Sequence, residues 1–450
     1  MSQLFNALST NDSLTDNGAL THSTTNNALL DLFFIAGASR TMNEDQIISM
    51  FTKSLAQEEK LTLQLLLWAR DARGGAGERR FFRVIYKYLK YNYPTFASLV
   101  TPHVATFGRW DDLWETGLNE EEKALIKKNI DNGLLCKWIP RRKQIFFDLA
   151  NYMGMTLSNF RKLIVKNSKT VEQQMSAKEW SDIKYESVPS KAMSIYNKAF
   201  GKRDFYRFNQ YIQALQSGET KINASVLYPY DLIRAIRTGK DSRVIDEQWK
   251  ALPNYYTDEN ILVVADTSGS MNGLPIEVCI SLAIYTSERN SGIFKDKFIT
   301  FSGNPTIQQL SGSLTEKNRQ LNRADWSMNT NLQAVFNLIL DTATKAHISE
   351  NDMPTKVIII SDMQFDQCCT NTSNFDSLVQ SYALAGYKLP QLVFWNVKSK
   401  LGNNPVKVNQ NGVALVSGAS PSILQSVLGD LSPVSTMMQT INQEKYQVFK

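Results

Sequence analysis

The chain has 450 residues, of which 43% are hydrophobic and 20% charged, which is ordinary for a globular protein of two or three domains. Four cysteines without metal-binding spacing and three scattered histidines exclude a disulfide scaffold, a His/Cys zinc site and a His-based triad. The net charge of +6 is uneven, because residues 1–250 carry +8 and residues 251–450 carry −2. The first half is therefore the candidate surface for a polyanion, although a solvated basic face without a partner explains the same excess.

The chain opens on a polar stretch. Residues 1–27 are rich in Ser, Thr and Asn, which predicts an extended arm or a poorly ordered segment. They show no secretory signal, and no later segment reaches the roughly 18 apolar residues of a membrane span. We therefore expect a cytoplasmic protein whose first domain begins at residue 28.

Residues 28–250 show the apolar spacing of helices. Examples are residues 61–69, 81–89 and 145–153, and glycines or prolines separate such runs. Successive short helices without a strand-like stretch predict a HEAT-like array or α-solenoid.

The pattern changes in residues 251–450. Five β-branched, apolar runs predict strands at residues 261–265, 297–301, 356–360, 391–395 and 413–416. Helical stretches alternate with them, for instance residues 276–290 and 331–344. Such alternation predicts a parallel sheet in a doubly wound, Rossmann-like α/β domain, with ligands at the carboxyl ends of the strands.

The first of these strands runs directly into Asp-Thr-Ser-Gly-Ser. Asp266, Ser268 and Ser270 can converge on one point if the loop curls, and Thr330 and Asp362 stand at the same predicted sheet edge. Oxygen ligands with few charges suit Mg²⁺. In the alternative interpretation, Asp266 and Ser268 merely cap the following helix.

A basic ridge is predicted in the helical half. It consists of Arg79, Arg83, Lys87 and Lys90, which recur at three- and four-residue steps and therefore align along one helix face, where they could meet backbone phosphates. We predict RNA contacts for Arg70, Arg73, Arg79, Arg80, Arg83, Lys87, Arg141, Arg142 and Lys143.

The metal motif resembles the metal-ion-dependent adhesion site of von Willebrand factor A domains. That resemblance implies that Ser268, Ser270 and Thr330 ligate Mg²⁺ (or Mn²⁺ or Ca²⁺) directly. Asp266 and Asp362 would act directly or through water, and a partner's carboxylate would complete the shell. The Thr330 loop reads Ser-Met-Asn-Thr-Asn, without the double glycine that is usual there.

The helical half resembles a known RNA-binding module. ARDARGGAGERRFFR (residues 69–83) is similar to the TROVE module of the Ro RNA-binding autoantigen, which precedes a von Willebrand A domain. A closer resemblance is to an uncharacterised family of plants, fungi, large viruses and phages. Its motifs are VATFGRWDD (104–112), YESVPSK (185–191), KFITFS (297–302), SDMQF (361–365) and GYKLPQLVFW (386–395).

Two functions are compatible with these patterns, and a third is weighed against them. The first is an RNA-binding ribonucleoprotein scaffold that holds structured or misfolded RNA, with a Mg²⁺-dependent A domain for partner binding. The second is a protein-interaction adaptor whose metal site grips a partner carboxylate, without nucleic acid. An enzyme is not expected, because three clustered carboxylates are missing and no His or Lys stands beside the loop as a base.

Overall fold

The computed structural model describes residues 12–168, 170–224, 226–255, 259–291, 293–301, 305–323, 330–367, 374–427, 429 and 431–449. Within the polar arm it places an antiparallel hairpin of two short strands, β1 (Asp12–Leu14) and β2 (Leu20–His22). Single β-bridges join Gly18 to Asp366 and His22 to Asn404. The predicted arm is thus extended and pairs with two loops of the second half of the chain. Residues 1–11 lie outside the described ranges.

The first half is helical, as predicted. Its helices are α1 (Ala28–Ala36), α2 (Glu44–Gln57), α3 (Glu59–Arg70), α4 (Arg79–Asn92), α5 (Pro94–Val100), α6 (Val104–Phe107), α7 (Asp111–Trp114), α8 (Glu120–Lys128), α9 (Gly133–Trp138), α10 (Gln144–Tyr152), α11 (Leu157–Ser168), α12 (Val171–Ala177), α13 (Ser190–Arg203), α14 (Phe205–Ser217), α15 (Pro229–Arg237) and α16 (Ser242–Lys250). No described helix has both the length and the apolar character needed to cross a bilayer.

Helix α4 shows why the sequence folds this way. Its apolar positions recur on one side, and Phe81, Phe82, Ile85, Tyr86 and Leu89 are buried there. The opposite side carries the basic residues, as expected for a helix that covers a core with one face.

The second half is built on a six-stranded sheet. Its strands are β3 (Ile261–Ala265), β4 (Lys297–Thr300), β5 (Ile307–Gln309), β6 (Lys356–Ser361), β7 (Gln391–Asn396) and β8 (Val413–Ser417). The order is β5-β4-β3-β6-β7-β8, and all neighbours are parallel except β5, which pairs antiparallel with β4. The prediction of an all-parallel sheet is therefore wrong at this edge. Strand β5 has two exposed residues and one half-buried residue, and no apolar run that sequence periodicity could detect.

In the described parts of this half, the helices that accompany the sheet are α17 (Leu274–Arg289), α18 (Leu314–Arg323), α19 (Leu332–Lys345), α20 (Asn374–Leu384) and α21 (Pro433–Ile441). The two helices predicted from sequence correspond to α17 and α19, with bounds shifted by one or two residues.

The hydrophobic core continues from one half of the chain into the other. Helix α1 packs against β8, and α21 packs against α1 and α3. Within the helical half, α1 also packs against α3, where the Phe33 and Trp68 rings lie 4.9 Å apart. A second, smaller core lies within residues 171–244. The sheet is thus anchored directly on the helices that precede it.

Candidate metal centre and basic cleft

The predicted metal loop lies where the sheet reverses its winding. Strands β3 and β6 are adjacent and parallel, so Asp266 and Asp362, which follow them, stand side by side at the carboxyl edge. From β3 the chain passes to β4 on one side and returns to β6 on the other. Open α/β sheets bind ligands at such a reversal.

Hydrogen bonds hold the loop in a tight curl. The Ser268 amide donates to Asp266 Oδ1 over 2.9 Å, and the Ser361 hydroxyl donates to Asp266 Oδ2 over 2.5 Å. The hydroxyl oxygens of Ser268 and Ser270 lie 3.0 Å apart. The two hydroxyls are thus at hydrogen-bonding distance, and neighbouring ligands of an octahedral ion with bonds of about 2.1 Å also stand about 3.0 Å apart.

The two carboxylates are poorly solvated. Burial, followed by the charge of Asp362, raises the pKa of Asp266 to about 6. Burial also raises the pKa of Asp362, against hydrogen bonding from Ser270 and the charge of Lys398. A bound cation would favour the ionised form of both groups, and the donor set therefore fits a divalent ion.

The helix that follows this loop directly is a short 3-10 helix, Gly269–Met271, whose N-cap residue is Ser268, but no side chain makes a capping hydrogen bond there. The helix-capping alternative does not apply to the longer helix beyond it either. Helix α17 begins at Leu274, its N-cap is Gly273, and no side chain caps it. The Asp266 carboxylate instead accepts the amide of Ser268 two residues on, within its own loop.

Thr330 lies in a neighbouring group of contacts. Its hydroxyl is 2.8 Å from the Gln364 carbonyl and 3.0 Å from Asp366 Oδ1, and its amide donates to Asp366 Oδ2 over 2.7 Å. The Gln364 amide in turn donates to Asp362 over 3.3 Å. The structure thus brings Asp266, Ser268, Ser270 and Asp362 together. Thr330 is connected to this group through Gln364, which contacts both Thr330 and Asp362.

Hydroxyls rather than a carboxylate cluster define this centre. Within the described ranges, no group of three or more His, Cys, Asp or Glu side chains is arranged to hold a metal ion. Any ion here would depend on Ser268 and Ser270 as well as on the two aspartates.

Lys398 was missed by the sequence reasoning. Its ammonium group donates to the Ser270 carbonyl over 2.6 Å and lies close enough to Asp362 to affect its pKa. The expectation that no lysine stands beside the loop is therefore wrong. Lys398 follows β7 by two residues, so its place after a strand end was the signal that could have revealed it.

The N-terminal hairpin lies on the same edge. The Asn17 side chain donates to Thr330 Oγ1 over 3.0 Å and to the Gln364 carbonyl over 2.7 Å. Asp16 forms an ion pair with Lys400 and donates its amide to the Gln364 side chain. Residues 16 and 17 thus contact the loops that follow β6 and β7, beside the candidate metal centre.

Several predicted RNA-binding residues are used inside the protein. Arg70 is only 2% exposed and pairs with Asp112 over 2.7 Å, so it cannot belong to an exposed ridge. Arg141 donates to the carbonyls of Cys136 and Ile139. Arg80 donates to the Met42 carbonyl, and Arg83 is bound by Asp112. Such residues retain only part of their donor capacity for an external phosphate.

Other predicted residues remain available at the surface. Arg73, Arg79, Lys87, Arg142 and Lys143 are exposed. Arg73 also donates to the Thr106 carbonyl, and Lys143 lies 3.8 Å from Glu115.

One basic cleft collects part of the predicted set. It has a volume of about 610 Å³ and is lined by Arg40, Glu44, Gly77, Glu78, Arg79, Arg80, Arg83, Val84, Lys87, Glu115 and Thr116. Arg73, Arg141 and Arg142 lie outside this lining. Arg40 forms an ion pair with Glu78 over 2.5 Å, and Arg80 forms an ion pair with Glu44 over 3.7 Å. In the described part of the chain, Arg79 and Lys87 have no ion-pair partner, and they give the cleft its positive excess.

Comparison with known proteins gives the class of this chain. It belongs to the family described as Domain of unknown function (DUF2828), which matches residues 15–116 and 122–260, together 241 of 450 residues. A second family, described as Domain of unknown function (DUF7788), matches residues 260–448. Among individual proteins, Uncharacterized protein L728 of Acanthamoeba polyphaga mimivirus is 28% identical over 96% of this chain and 87% of its own length.

Proposed function

We propose that the C-terminal half is a von Willebrand factor A-like module that binds a divalent cation and, through it, an acidic side chain of a partner protein. The observation that carries this proposal is the convergence of two buried aspartates and a hydroxyl pair at the winding reversal of the sheet. Asp266, Ser268, Ser270 and Asp362 would hold the ion.

A bound Mg²⁺ would supply a coordination position that a carboxylate can fill. The protein's own side chains would orient that ligand. Ser361 fixes one oxygen of Asp266, and Lys398 places a positive charge at the rim, where it attracts an acidic group. Thr330 could join the shell only by giving up contacts it now makes with Asn17 or Asp366.

The test is direct ion binding by the full chain. We expect Mn²⁺, followed by electron paramagnetic resonance, to bind wild type and to bind Ser268→Ala at least ten-fold more weakly. The matched control is Ser287→Ala, which removes a buried hydroxyl bonded to a carbonyl within α17. Equal Mn²⁺ affinity of the two variants, or no binding by wild type, contradicts the proposal. A partner is then sought by pull-down with and without chelator.

A second function, RNA binding by the helical half, is favoured by the cleft that contains Arg79 and Lys87. The resemblance to the TROVE module of the Ro protein points to structured or misfolded RNA. Internal pairing removes Arg70 and Arg141 from the candidate surface. Arg79 and Lys87 line the cleft, whereas Arg73, Arg142 and Lys143 are exposed outside it.

Gel-shift titrations across salt concentrations test this second function. Arg79→Gln with Lys87→Gln should weaken binding and flatten the salt dependence by about one unit of slope per lost phosphate contact. Lys345→Gln with Lys388→Gln, two exposed lysines of the C-terminal half, should leave the slope unchanged. Salt-independent binding rules out phosphate contacts.

A further inference from the structure

The tip of the N-terminal hairpin, residues 15–18, is a closed turn between β1 and β2. The Thr15 amide donates to the Ala19 carbonyl over 2.9 Å, and the Gly18 amide donates to the Thr15 carbonyl over 3.0 Å. Gly18 has a φ of +84°, a conformation that glycine adopts without strain. Asn17 is therefore presented to the sheet edge from a preformed turn.

The Asn17 side chain binds the predicted metal ligand that lies outside the candidate centre. Its amide donates to Thr330 Oγ1 over 3.0 Å and to the Gln364 carbonyl over 2.7 Å. A hydroxyl oxygen has two lone pairs, and the Asn17 amide uses one of those on Thr330. Thr330 itself has no exposed surface. A cation at the centre would therefore compete with Asn17 for the Thr330 oxygen.

The tip is attached to the loop that also carries one of the two aspartates of the centre. The Thr15 hydroxyl donates to the Phe365 carbonyl over 2.7 Å, and the Asp16 amide donates to the Gln364 side chain over 2.7 Å. Both acceptors lie within three residues of Asp362. Docking of the tip and the geometry of the centre are thus physically connected.

This attachment is mainly polar. The two buried residues of the segment from Leu14 to Ala19 are the small Thr15 and Ala19, whereas Leu14 is 66% exposed. The ion pair of Asp16 with Lys400 lies at the surface, where such pairs contribute little to stability. Hydrogen bonds of the tip can be exchanged for bonds to water, and a two-stranded hairpin is marginally stable by itself. Release of the tip is therefore inexpensive compared with unfolding of either half.

We propose that the hairpin tip is an autoinhibitory strap. In the docked state Asn17 holds Thr330 out of the shell of the cation, and the tighter cation site forms when the tip releases Thr330. The inference rests on the proposed cation binding and adds its regulation. Docking lowers the apparent affinity for the cation, because only the released fraction of molecules offers the complete site. By linkage, the cation must favour the released tip to the same extent.

Mn²⁺ binding by the full chain, followed by electron paramagnetic resonance, tests this competition. We expect Asn17→Ala to bind Mn²⁺ about five- to ten-fold more tightly than wild type, as loss of the competing hydrogen bonds allows. The gain should disappear when Thr330→Ala is added, because the released oxygen is then missing. Asn92→Ala is the matched control, since it removes another exposed amide that donates to a carbonyl, within α4. Asn17 is exposed, so its variant should fold, as circular dichroism can verify.

Hydrogen exchange gives a second readout. In wild type, saturating Mn²⁺ should speed exchange of a peptide that covers residues 12–22 by at least about two-fold and leave α1 unchanged. Thr21→Val loosens the hairpin away from Thr330, because it removes a 2.7 Å hydrogen bond to the Asn404 carbonyl. This variant should also tighten Mn²⁺ binding.

The outcomes separate the strap from the cation site. A gain of Mn²⁺ affinity in Asn17→Ala that depends on Thr330 supports the strap. Affinity equal to or weaker than that of wild type, or a gain that persists in the double variant, overturns it. So does unchanged or slower exchange of residues 12–22 with Mn²⁺. If Ser268→Ala weakens binding in those cases, the cation site stands without the strap. Absence of Mn²⁺ binding in both wild type and Asn17→Ala overturns both proposals.

Discussion

The Asp266 carboxylate is buried and hydrogen-bonded, and its pKa is nevertheless raised. It is fully buried, yet both of its oxygens are bound, one by the Ser268 amide and one by the Ser361 hydroxyl. These donors favour the charged form, whereas burial and the neighbouring Asp362 oppose it more strongly. The carboxyl group is therefore positioned for a ligand at some cost to the stability of the metal-free protein.

That cost should depend on pH. The pKa of Asp266 is about 6 in the folded chain against an ordinary value of 3.8, so the folded state binds its proton more tightly than the unfolded state. Its stabilising contribution is complete below about pH 4 and is lost as pH rises through 6, by up to roughly 3 kcal/mol. Urea unfolding in the presence of a chelator should show that Asp266→Asn becomes more stable relative to wild type as the pH rises from 4.5 to 8.

Saturating Mg²⁺ provides the control for this measurement. Mg²⁺ should reduce the stability advantage of Asp266→Asn over wild type at pH 8, because in wild type the ion compensates the charge of Asp266. A stability difference between the two proteins that stays constant over the whole pH range would show that the ionised Asp266 does not destabilise the metal-free protein.

At the scale of elements, the contact between the end of α1 and the end of β8 is unusually close. The Gly37 amide donates to Ser417 Oγ over 3.1 Å, and the same hydroxyl donates to the Phe33 carbonyl over 2.9 Å. A Cβ on Gly37 would lie 2.4 Å from the Ser417 carbonyl oxygen, which is backbone and cannot rotate away. This contact joins the helical half to the edge strand of the sheet.

Gly37→Ala should therefore destabilise the protein by at least about 2 kcal/mol, because α1 or β8 must shift. Gly201→Ala is the control, since its Cβ would meet the Phe208 ring at an ordinary 3.7 Å in the last turn of α13. That change should stabilise the protein by about 0.5–1 kcal/mol through helix propensity. Thermal unfolding of both variants measures the difference, and equal melting temperatures would contradict the close packing.

The elements that sequence predicted best are those whose burial is uniform. Strand β6 is buried at all six positions, so its apolar run stands out, and Asp362 follows it without ambiguity. Strand β5 has no such signal. The partners of Thr330 could not be predicted, because they depend on the path of one loop and on Asn17, which lies 313 residues earlier in the chain.

At the scale of the whole molecule, both halves share one core and the C-terminal segment returns to the helices. The Tyr446 hydroxyl and the Lys445 ammonium both bind Asp71 Oδ2, over 2.8 Å and 2.9 Å, just after α3 ends. Phe107 packs against the Tyr446 ring at 5.4 Å. Each half would therefore expose part of its hydrophobic core to solvent without the other.

We therefore expect one cooperative unfolding transition that includes α3 and β7. Tyr446→Phe removes a buried hydrogen bond to a carboxylate and should lower stability by about 1–3 kcal/mol. Because the core is shared, native-state hydrogen exchange should show the same loss of protection in both elements. Loss of protection confined to α3 would instead show that the halves unfold separately.

The attachment of the hairpin to the sheet edge also has a consequence for synthesis on the ribosome. The backbone pairing of His22 with Asn404 joins residues 382 positions apart. At translation rates of about 5–20 residues per second, the hairpin leaves the ribosome roughly 20–75 s before its binding surface exists. During that interval its strand edges are open to chaperones or to another nascent chain. The hairpin would then dock only after the loop that contains Asn404 has been made.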